Sequence, residues 1–122
     1  MKNKIKEKIL NAQNIVILSH LNQDPDAVGS SFAMREVLRM LGKSAVCCLP
    51  ERPESRLDFF GDDYCLKENI DKRFDLAIVL DCGSLDRIED RISIYESAEE
   101  KVSIDHHETN TAFAEYNYVE CH

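Results

Sequence analysis

Three short stretches of this sequence are apolar at every position: Ile15 to Leu18, Ala45 to Leu49 and Leu76 to Leu80. A strand with one solvated face alternates apolar and polar residues. A run that is apolar throughout, this short and bounded by turn residues, is a strand buried on both faces. Val102 to Ile104 reads as a fourth strand and Tyr116 to Val119 as a fifth. Helical segments alternate with them. Ile5, Ile9 and Ala12 mark one face of a first helix, whose lysines are solvated. Over residues 26–41, Val28, Phe32, Met34, Leu38 and Leu41 share a broad apolar face. Gly42 stands where a helix C′ glycine belongs. Residues 84–99 hold short helical pieces. Residues 50–74 are polar and mixed, with a short helix expected at Arg56 to Phe60 and a turn at Gly61-Asp62-Asp63. The expected class is α/β, a parallel sheet flanked by helices on both faces.

Size and charge bound the function. A length of 122 residues is one domain, or part of one. The net charge of −8 lacks the basic footprint that duplex DNA requires, although a small anionic substrate can still be held through a metal ion. The longest apolar runs have five residues, against about 20 for a membrane span. Lys2 to Lys8 resembles the start of a secretion signal, but no apolar stretch of about 7–15 residues follows it. The five cysteines are odd in number and form no C-x-x-C pair. Reduced thiols in a core, in a cytoplasmic protein with no membrane contact, are the expectation.

In a parallel sheet covered on both faces, ligands bind beyond the carboxyl ends of the strands. After the first strand the sequence reads Ser19-His20-Leu21-Asn22-Gln23-Asp24-Pro25-Asp26, then Gly29-Ser30. After Leu80 come Asp81-Cys82-Gly83, and after Ile104 come Asp105-His106-His107. Three of the four histidines thus follow strands, each beside aspartate or within a few residues of it. Imidazole with several carboxylates and no thiolate suits a five- or six-coordinate ion such as Mn²⁺ better than a structural zinc. The donors exceed what one ion needs. Two ions about 3.5–4 Å apart, sharing a carboxylate, are a common device for hydrolysing phosphate esters. Each aspartate also has a purely structural account. Asp24 and Pro25 form a helix start as N-cap and N1, and Asp26 suits the first turn. Asp81 can cap a turn with Gly83, and Asp105 to His107 can be a polar loop.

These residues resemble the motifs of the DHH phosphoesterases. His20-Leu21-Asn22-Gln23-Asp24-Pro25-Asp26 is similar to that family's His-x-Asn-Pro-Asp-x-Asp, with Gln23 in place of Pro and Pro25 in place of a small residue. Asp81 within Val79-Leu80-Asp81-Cys82-Gly83-Ser84 resembles the second motif, and Asp105-His106-His107 resembles the signature motif. The ordered match covers about residues 14–120. Asp105-His106-His107-Glu108-Thr109-Asn110, with Phe113 and Asn117-Tyr118-Val119 behind it, is similar to the branch of oligoribonucleases and 3′-phosphoadenosine-5′-phosphate phosphatases.

The resemblance implies the N-terminal portion of a DHH domain and a divalent-metal-dependent phosphoesterase. The cofactor it implies is two Mn²⁺ ions, with Mg²⁺ or Co²⁺ as alternatives. It places His20 and Asp24 on one ion, Asp26 and His106 on the other, and Asp81 between them. His107 would face the scissile phosphate, Asp105 would orient a histidine, and Asn22 would contact phosphate. The implied substrate is a short single-stranded oligoribonucleotide or a nucleoside bisphosphate. The family pattern continues with a fourth metal-binding aspartate and a second, substrate-gripping domain. Residues 1–122 contain neither, so the expected domain is truncated before both, and an uncovered edge invites a homodimer. The alternative is a non-catalytic metal- or nucleotide-binding remnant that acts as an interaction or dimerisation module.

Overall fold

In the computed structural model of the protein, residues 2–19, 25–50, 64–70, 73–80, 88, 91–105, 114 and 116–119 are described. The elements, in chain order, are α1 (Lys2–Asn11), β1 (Asn14–Ser19), α2 (Pro25–Met40), β2 (Ser44–Leu49), β3 (Cys65–Leu66), a 3-10 turn (Lys67–Asn69), β4 (Leu76–Leu80), α3 (Ile92–Ser97), β5 (Glu100–Asp105) and β6 (Tyr116–Val119). The strands form one sheet in the order β3-β2-β1-β4-β5-β6, and every pairing is parallel.

The continuous apolar runs are explained by burial on both faces. Ile15 and Ile17 of β1 join Cys47, Ile78 and Val102 in a core beneath α1 and α2. Val16 and Leu18, one residue out of phase, join Cys48, Ala77 and Val79 on the opposite face, packed against Ile94 and Tyr95 of α3. Successive side chains of a strand point to opposite faces, so only an unbroken apolar run can satisfy both layers. Cys47 and Cys48 are both buried free thiols, as expected for core cysteines. No helix among the described residues is long and apolar enough to cross a membrane.

The helix signals read from the sequence hold in α2. Pro25 is its first residue, where the absent N–H costs no hydrogen bond. Gly42 has φ 83°, and two bonds close the end: Gly42 N–H to Arg39 O at 3.0 Å, and Lys43 N–H to Leu38 O at 3.1 Å. This is the Schellman arrangement. Val28, Phe32 and Leu38 are buried, and Met34 packs at the edge of the core. Leu41 departs from expectation. It lies beyond the last helical residue, off the apolar stripe, and is 53% exposed. Also unexpected is β3, whose two residues pair with Cys48 and Leu49. A strand of two residues carries no periodicity to read. The helix expected at Arg56 to Phe60 and the turn at residues 61–63 lie outside the described residues.

The amino edge of the sheet is knotted by side chains. The Asp75 carboxylate accepts the N–H groups of Gln13 and Asn14, each at 2.9 Å. The Lys43 ammonium, buried under the end of α1, donates to Leu10 O at 2.8 Å and to Ala12 O at 2.6 Å. Lys8 of α1 reaches Glu100 at the start of β5 at 3.2 Å, while Lys4 and Lys6 face solvent.

Candidate functional site

The strand order reverses direction at the centre of the sheet. From β1 the chain proceeds outward through β2 and β3, and then returns to β4 on the other flank of β1. In open α/β sheets such a switch point opens a crevice at the carboxyl edge, where ligands bind. Here the switch lies between β1 and β4. Three adjacent strands end within one residue of one another there: Ser19 pairs with Leu80, Leu80 pairs with Ile104, and β5 runs one residue further to Asp105. The next residues in sequence are His20, Asp81 and Asp105, and His106 and His107 follow Asp105. The connection from β1 to α2 comprises only residues 20–24, a short βα link.

Asp105 is the last residue of β5, its backbone paired with Val119. Asp26 is the second residue of α2. For these two, the described structure includes the backbone alone. His20, Asn22, Asp24, Asp81, His106 and His107 lie outside the described residues. Accordingly, no group of three or more His, Cys, Asp or Glu side chains that could hold a metal ion occurs among the described residues. The described structure supplies the scaffold: it brings together the ends of β1, β4 and β5, and five residues separate the end of β1 from the start of α2.

What holds this edge is a side chain that sequence reasoning missed. Arg91 is 0% exposed and stands immediately before α3. Its Nη2 donates to Ser19 O at 2.7 Å, its Nη1 to Cys48 O at 2.9 Å, and its Nε to Ile88 O at 3.2 Å. The guanidinium therefore bridges the carboxyl ends of β1 and β2 and the loop that enters α3. A charge taken out of water is tolerated only when its donors are met, and charge-assisted bonds to carbonyls do this. No local signal marks the residue: in Arg87-Ile88-Glu89-Asp90-Arg91-Ile92 nothing separates Arg91 from Arg87. A second bond steadies the same region from the helix side, where the Cys47 thiol donates to Ser31 O of α2 at 3.3 Å.

Comparison with known proteins agrees with this architecture. The family described as "DHH family, N-terminal domain" matches residues 14–122. The bifunctional oligoribonuclease and PAP phosphatase NrnA of Bacillus subtilis (strain 168) is 29% identical over 122 residues, a span of 98% of this chain and 37% of NrnA. Among solved structures, an exopolyphosphatase-related protein from Bacteroides fragilis matches with a TM-score of 0.86 at 24% identity. That match covers 97% of this chain and 38% of the other, and it is a likeness of fold. The chain thus spans well under half the length of either relative.

Proposed function

Because the chain belongs to the DHH family, we propose that residues 1–122 carry the N-terminal part of a divalent-metal-dependent phosphoesterase that hydrolyses short oligoribonucleotides or nucleoside bisphosphates. One observation carries the reading. Three neighbouring parallel strands end within a residue of one another at the switch point; the sequence places His20 and Asp81 directly after β1 and β4, and Asp105 closes β5 with His106-His107 directly after it. A polar loop does not call for aspartate near the ends of all three adjacent strands and histidine near two of them; a metal centre does. The likeness to NrnA supports the choice of substrate class.

The donor set fits a pair of hard-to-borderline cations, with Mn²⁺ as the first choice and Mg²⁺ or Co²⁺ as alternatives. In this reading His20 and Asp24 would hold one ion, Asp26 and His106 would hold the other, and Asp81 would serve both. When bound, such ions would polarise phosphoryl oxygens and lower the pKa of a coordinated water. The chain's own groups do the rest. His107 would face the scissile phosphate, as a hydrogen-bond donor or as the general acid that protonates the leaving oxygen. Asp105 fixes the tautomer and orientation of a ligating histidine, as carboxylates behind metal-bound imidazoles do. Asn22 steadies the phosphate. The family's fourth metal-binding aspartate and its substrate-gripping domain have no counterpart in residues 1–122. Turnover is therefore proposed for a protein that includes them, and metal binding for this chain. The reading places the protein in the cytoplasm, consistent with the free thiols of Cys47 and Cys48. The net charge of −8 argues against duplex DNA as a partner.

The test is Mn²⁺ titration by calorimetry on the wild type and on Asp81→Asn, both shown to be folded. Binding that weakens at least about tenfold in the variant is expected, because a bridging carboxylate serves both ions. A folded wild type that takes up no Mn²⁺, Mg²⁺ or Co²⁺ overturns the metal-centre reading for this chain and favours the interaction-module account.

A further inference from the structure

We propose that Arg91 is a positioning residue for this site: its guanidinium fixes the last carbonyl of β1 against the next-to-last carbonyl of β2, and thereby sets the direction in which the chain leaves β1 towards His20. The inference rests on the metal-centre reading above.

Covalent geometry supports the link. Ser19 O, held by Arg91 at 2.7 Å, belongs to the peptide unit whose nitrogen is that of His20. The peptide unit is planar, so fixing its oxygen restricts where the next Cα can lie. The second anchor is as specific. Cys48 O, at 2.9 Å, belongs to the neighbouring strand, so the carbonyl of β1 is held relative to the sheet and not merely to its own loop.

Packing alone does not account for this residue. Among the described residues, Arg91 is the charged side chain with no exposure at all; Arg35 and Lys43, also buried, keep 7% and 8%. A cavity here would be filled at lower cost by leucine or methionine, because a buried cation must recover a desolvation penalty. Nor do β1 and β2 need a clamp to stay together, since they pair over five positions from Asn14↔Ser44 to Leu18↔Cys48. What Arg91 adds is local. It acts at the carboxyl end, just past the last of those pairs, where the candidate ligands begin. The guanidinium has no lone pair for a metal and no exposed face for substrate, so it acts through the peptide that precedes His20.

The experiment compares Mn²⁺ affinity, by calorimetry, in the wild type, Arg91→Met, Arg91→Lys and Lys43→Met, with folding monitored by circular dichroism. Lys43 lies at the opposite edge of the sheet and serves as a destabilised control. The expected result is a loss of affinity of about tenfold or more in Arg91→Met, the range seen when partners behind a ligand are removed. Arg91→Lys, which keeps one donor and the charge but loses the planar fork, should recover part of it. Lys43→Met should keep wild-type affinity. A folded Arg91→Met that binds Mn²⁺ as the wild type does overturns the inference while leaving the metal centre standing. If Arg91→Met does not fold, Arg91→Lys decides alone, and wild-type affinity in that variant is the refuting result. A wild type that binds no divalent ion removes the metal-centre reading and this inference with it.

Discussion

Replacing Lys43 by methionine tests the account of the amino edge quantitatively. The ammonium is buried with 8% of the residue exposed, and it donates to Leu10 O at 2.8 Å and Ala12 O at 2.6 Å. Leu10 lies in the last turn of α1 and Ala12 is the residue just after it, where intrahelical donors have run out and the helix dipole is negative. Methionine has nearly the same length and volume, so it removes the donor without opening a cavity. The bond to Ala12 is buried, and losing a charged donor there costs about 1.5–3 kcal/mol. The bond to Leu10 is only partly buried, so water can replace the donor and the loss is about 0.5–1.5 kcal/mol. Relief of ammonium desolvation and the added apolar burial return about 1 kcal/mol. The net expectation is a destabilisation of about 1–3.5 kcal/mol. Urea unfolding at 25 °C, analysed by linear extrapolation, should show a lower midpoint with unchanged slope. A shift of under about 0.5 kcal/mol at constant slope would refute the reasoning, because it would mean that the carbonyls at the end of α1 do not depend on this cation.

Three further outcomes are expected. Gly42→Ala should cost about 1–2 kcal/mol purely through the backbone, since φ is 83° and an added Cβ meets no atom within 4 Å; Gly42→Asn should cost less, and equal costs in urea unfolding would point to a clash instead. Ser103 is fully buried and its hydroxyl has no hydrogen-bond partner among the described residues. Ser103→Ala should therefore be neutral or stabilising by up to about 1 kcal/mol, and a clear loss of stability would reveal an acceptor for that hydroxyl. Cys65 is half-buried whereas Cys47 and Cys48 are fully buried, so a thiol reagent followed by peptide mapping should label Cys65 before Cys47 and Cys48 in the native protein; equal rates at these three would contradict the packed core.

Much of the local structure is legible because local signals encode it. The unbroken run Leu76 to Leu80 can only be satisfied between two layers, and it is β4. Pro25 and Gly42 bracket α2 because one lacks a donor and the other tolerates positive φ. The candidate site is legible in its chemistry, as histidines and aspartates placed after strands. Its arrangement is not, because the sequence of a run does not say which run lies beside it. That the chain segments starting at His20, Asp81 and His106 follow adjacent strands depends on β1 pairing with β4 and β4 with β5. Leu41 shows the opposite failure: helical spacing places it on the apolar face, but the helix has already turned into its cap.

The sequence by itself determined what each segment is: buried strand, capped helix, and loops carrying ligand-type side chains. Periodicity, capping and turn chemistry act over a few residues and can be read along the chain. The tertiary structure alone decided that β1 is central, that two residues at Cys65 and Leu66 extend the sheet, and that Arg91 and Lys43 are buried. Those two cations find their acceptors far away in sequence: Arg91 at Cys48 and Ser19, 43 and 72 residues distant, and Lys43 at Leu10 and Ala12, 33 and 31 residues distant. A charged side chain on its own reads as a solvated one. Only the fold can bring to it the carbonyls that make its burial tolerable.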